Sequence, residues 1–393
     1  MNTRLEKKME SLFTIFSELE DPRDNRGKKH LLIHIIILAI YGILCGYEDF
    51  TNMAYFLKKK ESELTEKLGL LNGIPSHDTF SAVFRIIDPK KFMELFIKWT
   101  QSLVDSKNIN GDKHIAIDGK AVRAATDKVN NGNIPYVVSA FLTDIGLSIG
   151  QYKVDDKSNE IKAVPELLDM LFIEGCTITM DAMGTQKDIV SKIVDKKGHY
   201  CLALKENQKT FCNEITEYLD FAIEDNEEKN NISYFETTEK DHGRIETRKY
   251  YVSSRTDFIT NLKDWQNLSA IGLVIQERTV TGKEKTVERR YYIMDQVLKA
   301  EEFARYTRKH WQIENNLHWV LDVIFNEDHS TSKKDNAIIN IATVRKMAFN
   351  LTKLDPSMSK KTTKKKMIDY TYNFDLFLKL INEIIKQPST KEL

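Results

Sequence analysis

The chain has 393 residues, with 58 Lys and Arg balanced by 58 Asp and Glu, 41% hydrophobic residues and 10% aromatic residues. That length and apolar content support two or three domains with real cores and exclude disordered, collagen-like and coiled-coil classes, while the zero net charge gives no global sign of a polyanionic partner. Four cysteines without CxxC spacing argue against a disulfide framework or zinc ribbon, and the absence of a signal-peptide pattern at the N-terminus points to a reducing, cytoplasmic setting.

In chain order, Leu12, Phe13 and Phe16 recur at helical spacing, and Leu31 to Tyr47 is an almost unbroken apolar run containing His34. A membrane span needs about 20 residues, so this run reads as a buried helix and no membrane partner is expected. A Lys/Glu-rich segment follows, then the break Asn72-Gly73-Ile74-Pro75. Ser76 or Asp78 can cap a helix whose Phe80, Val83, Phe84 and Ile87 fall at i, i+3, i+4 and i+7, ended by Asp88-Pro89. Helices joined by such a turn fit either a helix-turn-helix or an ordinary helical hairpin. His30 and His34 have metal-ligand spacing but no third ligand in sight, which favours buried or capping histidines.

A polar linker, Asp105 to Asp112, precedes a change of period. KHIAIDGK alternates Ile115 and Ile117 with Ala116 and Asp118, as a strand does. PYVVSAFLT and GLSIGQYKV follow as strands around an Asp144-Ile145-Gly146 turn. The helix IKAVPELLDMLF, the strand CTITMDAMG, a helix over 186–196 and the strand YCLALK complete a mixed α/β sheet. Between 206 and 295, after an acidic, Asn-rich stretch, the strands RIETRKYYVSS, SAIGLVIQERTV and TVERRYYIMD read as an insertion. Helical pattern returns over 300–325 and 337–354, ahead of the basic run Lys360 to Lys366, which suits either electrostatic attachment to DNA or a solvated linker.

GxxxxGK[ST], GxGxxG, HExxH and GxSxG are all absent, which removes most support for nucleotide hydrolysis and serine-hydrolase chemistry. Acidic residues remain. Asp118 closes one strand and precedes Gly119; Asp181 closes another and precedes Ala182 and Gly184. The two share parity with their strands' faces, so on neighbouring strands their carboxylates converge, and a convergent pair repels without a cation. A lone strand-end Asp is also a common cap. On the helix RYTRKHWQIENNLHWVLDVIF, Ile313, Leu317, Val320 and Ile324 form a core stripe, with Tyr306, His310, Glu314 and His318 in a polar row of i+4 steps beside it.

The motifs AIDGKAVR (116–123), TMDAMGTQ (179–186), LALKENQ (202–208), HGRIETR (242–248) and HWQIENNLHWVLDVIFNED (310–328) resemble those of bacterial insertion-sequence DDE transposases, in the branch containing the H-repeat-associated proteins. GIPSHDTF (73–80) and KVDDKSNEI (153–161) fit the same family, so the resemblance covers nearly the whole chain. It implies an RNase H-like core over 108–205 and 296–354, with Asp118, Asp181 and Glu314 as the acidic triad and metal ligands. It also implies an inserted β-rich domain over 206–295, a helical N-terminal region over 1–107 that binds DNA ends, and a basic C-terminal tail with a helix over 355–393. Separations of 63 residues (118 to 181) and 133 (181 to 314) suit that arrangement.

The implied cofactor is a pair of Mg²⁺ ions, with Mn²⁺ as the alternative. The implied partners are terminal inverted repeats, target DNA and a second copy of the chain, and the implied reaction is end cleavage followed by joining of the 3′-OH to target DNA. The chain departs from the family's Tyr-Arg-Glu-Lys signature around the glutamate. Tyr306 lies one residue too far upstream, His310 stands at the Arg position and no Lys follows, which leaves Arg308, Lys309 and His310 as candidates for that phosphate contact. Lys120, Arg123, Lys205, Asn207, Arg244 and Arg248 are further DNA-contact candidates. For Lys205 and Asn207 a solvated loop, and for Arg244 and Arg248 a cross-strand ion pair with a Glu, stand as equal alternatives. A catalytically silent DNA-binding relative and a nuclease without strand transfer remain open.

Overall fold

A computed structural model describes residues 12–107, 113–122, 136–154, 160–225, 232–241, 243–282, 284–330, 332, 334–356 and 359–383. The first six helices are α1 (Leu12–Phe16), α2 (Leu32–Leu44), α3 (Phe50–Lys59), α4 (Glu61–Leu68), α5 (His77–Ile86) and α6 (Pro89–Ser106). Helix α2 is apolar on every side and Ile35 to Ile40 are fully buried, so the long hydrophobic run is a core helix. No helix among the described residues is long and apolar enough to cross a membrane. Ser76 caps α5 by accepting from the Thr79 N–H at 3.2 Å, and Phe80, Val83, Phe84 and Ile87 are all buried. Asp88 caps α6, with Pro89 at its first position. Because α6 runs to Ser106, the expected linker begins inside a helix; 108–112 lie outside the described residues.

Nine strands form one sheet: β1 (Lys113–Ala121), β2 (Tyr136–Leu142), β3 (Leu147–Val154), β4 (Cys176–Met180), β5 (His199–Leu204), β6 (Ser233–Asp241), β7 (Arg244–Ser253), β8 (Ala270–Val280) and β9 (Thr286–Met294). Their order is β3-β2-β1-β4-β5-β9-β8-β7-β6. The first three are antiparallel neighbours, and β1, β4 and β5 run parallel, with α7 (Glu160–Met170) and α8 (Lys187–Asp195) as crossovers. Gly146 turns the β2–β3 hairpin at a φ of 69°, where a side chain would be strained.

The β-rich segment expected as a separate insertion joins the same sheet through an antiparallel β5–β9 pairing. It also contains a helix, α9 (Lys209–Ala222), and the edge strand β6, which the strand pattern did not indicate. Edge strand β6 is largely charged and exposed, which discourages pairing with other chains. Downstream lie α10 (Ala300–His310), a π turn over Ile313–His318, α11 (Trp319–Val323), α12 (Ala337–Leu354), α13 (Thr363–Tyr372) and α14 (Phe374–Glu383). The N-terminal helices share one continuous apolar core with the sheet, and α2 packs on α12. Helix α12 is buried over nearly its whole length, covering the face of β3 that carries Gln151. Helices α6 and α7 cover the opposite face, where Ile97, Leu167 and Leu171 close on Gly150.

The candidate active centre

Strand parity places His114, Ala116, Asp118 and Lys120 on one face of β1 and Ile115 and Ile117 on the other. The pairing of β1 with β4 runs Lys113 to Cys176 through Ala116 to Thr179, an offset of 63 residues. Continued two residues, that offset sets Asp118 level with Asp181, on the side of the sheet where parallel strands commonly bind ligands; Asp181 follows the end of β4, whereas β1 runs on to Ala121, so Asp118 does not close its strand as expected. Both line a small, shallow hollow with Ile117, Val164, Met180, Met183 and Gly184. Asp181 caps a short turn, accepting from the Met183 N–H at 3.0 Å and the Gly184 N–H at 3.4 Å. Asn207 holds the same turn, its amide donating to the Ala182 carbonyl at 2.8 Å.

The helix bearing Glu314 crosses the face occupied by Asp118. Its polar row meets the sheet at two points: His310 Nδ1 lies 2.9 Å from Thr179 Oγ1, and His318 Nδ1 lies 3.4 Å from Asp118 Oδ2. Burial pushes the His310 imidazole down to about 4 against the pull of Asp181, and burial pushes His318 down to about 3, so both are neutral at pH 7. Glu314 is exposed, and its carboxyl is raised by partial burial and by Asp181 while Arg290 pulls it down. The π turn sits at Glu314 itself. It breaks the expected straight helix and replaces Ile324 in the core stripe by the fully buried Leu321 and Phe325.

Among the described residues no three His, Cys, Asp or Glu side chains stand close enough to hold a metal ion. The structure brings Asp118 and Asp181 together at one hollow and leaves Glu314 exposed on the π turn.

Lys120 is mostly buried, its side chain 14% exposed. Its ammonium contacts Asp322, Glu327 at 2.9 Å and Asp328 at 3.8 Å, tying β1 to α11 and the turn after it. Behind it, burial alone would raise the Glu327 carboxyl, but Lys346, Lys120 and Arg345 together hold it low. Arg248 pairs with Glu246 of its own strand and, across to β6, with Glu239 at 3.0 Å, whereas Arg244 reaches Glu246 of its own strand at 3.9 Å; the cross-strand pair with a Glu is made by Arg248. Arg308 also holds Glu239, at 2.6 Å. Lys205 is exposed at the end of β5, and Arg123 lies outside the described residues.

Sequence reading missed Arg290. It projects from β9, lies 5.0 Å from the centroid of the exposed Trp311 ring, and joins Arg248, Arg308, Gln276, Tyr250 and Asn315 in lining an open groove of about 380 Å³ beside Glu314. Tyr250 is fully buried. The TVERRYY alternation located the strand but gave no sign that Arg290 meets a helix distant in sequence. In the basic run, Lys361 pairs with Asp369 at 2.7 Å and Lys366 is buried against the Thr352 carbonyl.

Residues 109–351 match the family described as Transposase DDE domain, and 13–100 match its DDE_Tnp_1-associated family. The chain belongs to the DDE transposase family. It is 37% identical over 346 residues to the candidate transposase YncI of Escherichia coli O157:H7, covering 87% of each chain. It is 36% identical to the H repeat-associated candidate transposase YhhI of Escherichia coli strain K12, over 87% of this chain and 90% of that one. A cryo-EM structure of a piggyBac transposase synaptic complex with hairpin DNA aligns over 96% of this chain and 78% of its own, at 12% identity; its TM-score of 0.41 is too low to establish a shared fold.

Proposed function

We propose that this transposase cleaves the ends of an insertion sequence and joins the freed 3′-OH to target DNA, using an RNase H-like core. The strand order β3-β2-β1-β4-β5, antiparallel then parallel, supports that core, and the level placement of Asp118 and Asp181 carries the reading. Carboxylate oxygens at a sheet edge suit a hard divalent cation, and exposed Glu314 can turn its carboxylate toward Asp181. Two Mg²⁺, or Mn²⁺, would supply activation of the attacking oxygen and stabilisation of the leaving oxygen.

The chain's own part is to hold the acids and the DNA. Asp181 is fixed by the backbone amides of Met183 and Gly184, and Asp118 is oriented by His318. Neutral His310 adds no charge for a phosphate, so positive potential beside Glu314 comes from Arg290. The N-terminal helices would read the terminal inverted repeats, and a homodimer would hold two ends together. The test is Mg²⁺-dependent cleavage of DNA carrying the element's end, followed by joining of that end to a plasmid. Cleavage without joining would reduce the protein to a nuclease, and binding without cleavage would make it a silent relative.

A further inference from the structure

The N-terminal helices meet the rest of the chain through directional bonds as well as apolar packing. Helix α5 uses its Val83 carbonyl to accept from the Ile87 N–H, and the carbonyls that follow have no partner within the helix. The start of α12 supplies donors to them. Asn340, fully buried, donates from Nδ2 to the Phe84 carbonyl at 2.9 Å and to the Ile87 carbonyl at 3.0 Å. Asn336 Nδ2 also donates to the Ile87 carbonyl, at 3.2 Å. Beside them, Arg85 pairs with Asp335 at 2.6 Å.

A second attachment lies at the turn after α11. Asn326 Nδ2 donates to Glu48 Oε2 at 2.6 Å, and Glu48 sits between α2 and α3. Asn326 has a φ of 49°, a left-handed conformation that Asn adopts more readily than most residues. Its neighbour Glu327 holds Lys120, which lies two residues past Asp118 on β1. Phe50 of α3 stacks on Phe80 and Phe84 of α5 at 6.3 and 5.9 Å, so both attachments grip the same group of N-terminal helices.

Apolar faces tolerate sliding, but these bonds do not. An N–H···O bond holds over about 2.7–3.2 Å, whereas successive base pairs of DNA are spaced by about 3.4 Å. A slip large enough to bring the neighbouring base step to the centre would break these bonds and leave the buried Phe84 and Ile87 carbonyls unpaired.

We propose that Asn326, Asn336 and Asn340 are positioning residues that fix the distance between a DNA end held by the N-terminal helices and the catalytic centre, and so decide which phosphodiester is cut. The proposal rests on the reading above, in which those helices bind the end and the core cleaves it. It adds a joint that acts as a spacer between the two.

The test maps the cut made by full-length protein in Mg²⁺ on DNA carrying the element's end, at single-nucleotide resolution, with affinity for that DNA and thermal melts measured alongside. Wild-type protein is expected to cut at one position. Asn326→Gly keeps the left-handed backbone and removes only the bond to Glu48, and Asn336→Ala removes the bond to Ile87. Each, and their combination more strongly, is expected to bind the DNA as the wild type does and to shift part of the product onto adjacent phosphodiesters. Asn340→Leu, of similar volume, is expected to do the same. Glu48→Gln still accepts from Asn326 and is expected to keep the single position. A smaller folded fraction lowers the amount of product without moving the cut, so the readout separates positioning from stability. Cutting by the joint variants at the wild-type position alone, or loss of cutting without any shift, overturns the proposal. Absence of cleavage by the wild type overturns the transposase reading on which it rests.

Discussion

Asp181 stands 63 residues beyond Asp118, and 63 is also the offset at which β1 pairs with β4, so the two carboxylates leave the sheet at the same level of adjacent parallel strands. A loop inserted within β1 or β4 would break that match; insertions in the crossover between them would not. The helical segment carrying Glu314 is held over this pair by His310 on Thr179, His318 on Asp118 and Lys120 on Asp322.

Lys120 gives the first prediction. Its side chain is 14% exposed and faces three carboxylates, so Lys120→Met removes the cation from Asp322 and one of the three cations that hold buried Glu327. Urea denaturation should show a loss of about 3–5 kcal/mol, with Lys120→Arg retaining more stability than Met. A neutral outcome for Met would mean that the cluster is solvated and does not anchor the helix.

The buried histidines predict acid sensitivity. Burial, with the nearby Lys309 and Arg305 charges, holds His114 well below its ordinary 6.5, while in the unfolded chain it titrates near that value. Protons therefore bind the unfolded chain first. The stability His114 contributes is complete above pH 6.5 and falls as pH drops toward its folded value, by up to about 1.4 kcal/mol per pH unit. Thermal melts from pH 8 to pH 5 should show this fall, and His114→Gln should flatten it. An unchanged slope would locate the acid sensitivity elsewhere.

Gly272 predicts how tightly α10 must sit. A Cβ there would lie 2.7 Å from Phe303 Cζ, and the Phe303 ring meets Tyr250 and Tyr292 edge-on at 6.2 and 5.2 Å. Gly272→Ala should lower stability by about 1–3 kcal/mol by pushing the helix that leads to Glu314 off the sheet. Phe303→Leu in the same background should recover part of that loss in thermal melts.

Arg290 predicts a change in the salt dependence of DNA binding. If it meets a phosphate beside Glu314, Arg290→Ala should weaken binding to all sequences alike and reduce the slope of log affinity against log salt by about 1. An unaltered slope would confine Arg290 to its pairing with Glu288 and its stacking on Trp311.

Much of this was legible in the sequence because period and capping are local. The α2 run, the Ser76 cap, the β1 to β5 alternation and the parity of Asp118 and Asp181 all follow from neighbours along the chain. What was not legible depends on tertiary packing. The ion pairs of Lys120 with Asp322, Glu327 and Asp328 join residues some 200 positions apart and leave no local sign. The row Tyr306, His310, Glu314, His318 assumes a regular helix, and the π turn alters it only where the helix meets the sheet. Helix α9 was a missed local signal: Phe211, Ile215, Leu219 and Ala222, all buried, keep helical spacing within a segment whose later strands drew the reading toward β.

The measurement closest to the central claim is cleavage of end DNA in Mg²⁺ by wild-type protein, Asp118→Asn and Glu314→Gln, with DNA binding measured in parallel. The DDE reading predicts that the wild type cuts and both variants bind DNA with near-normal affinity but do not cut. Cleavage by either variant at the wild-type rate would contradict it.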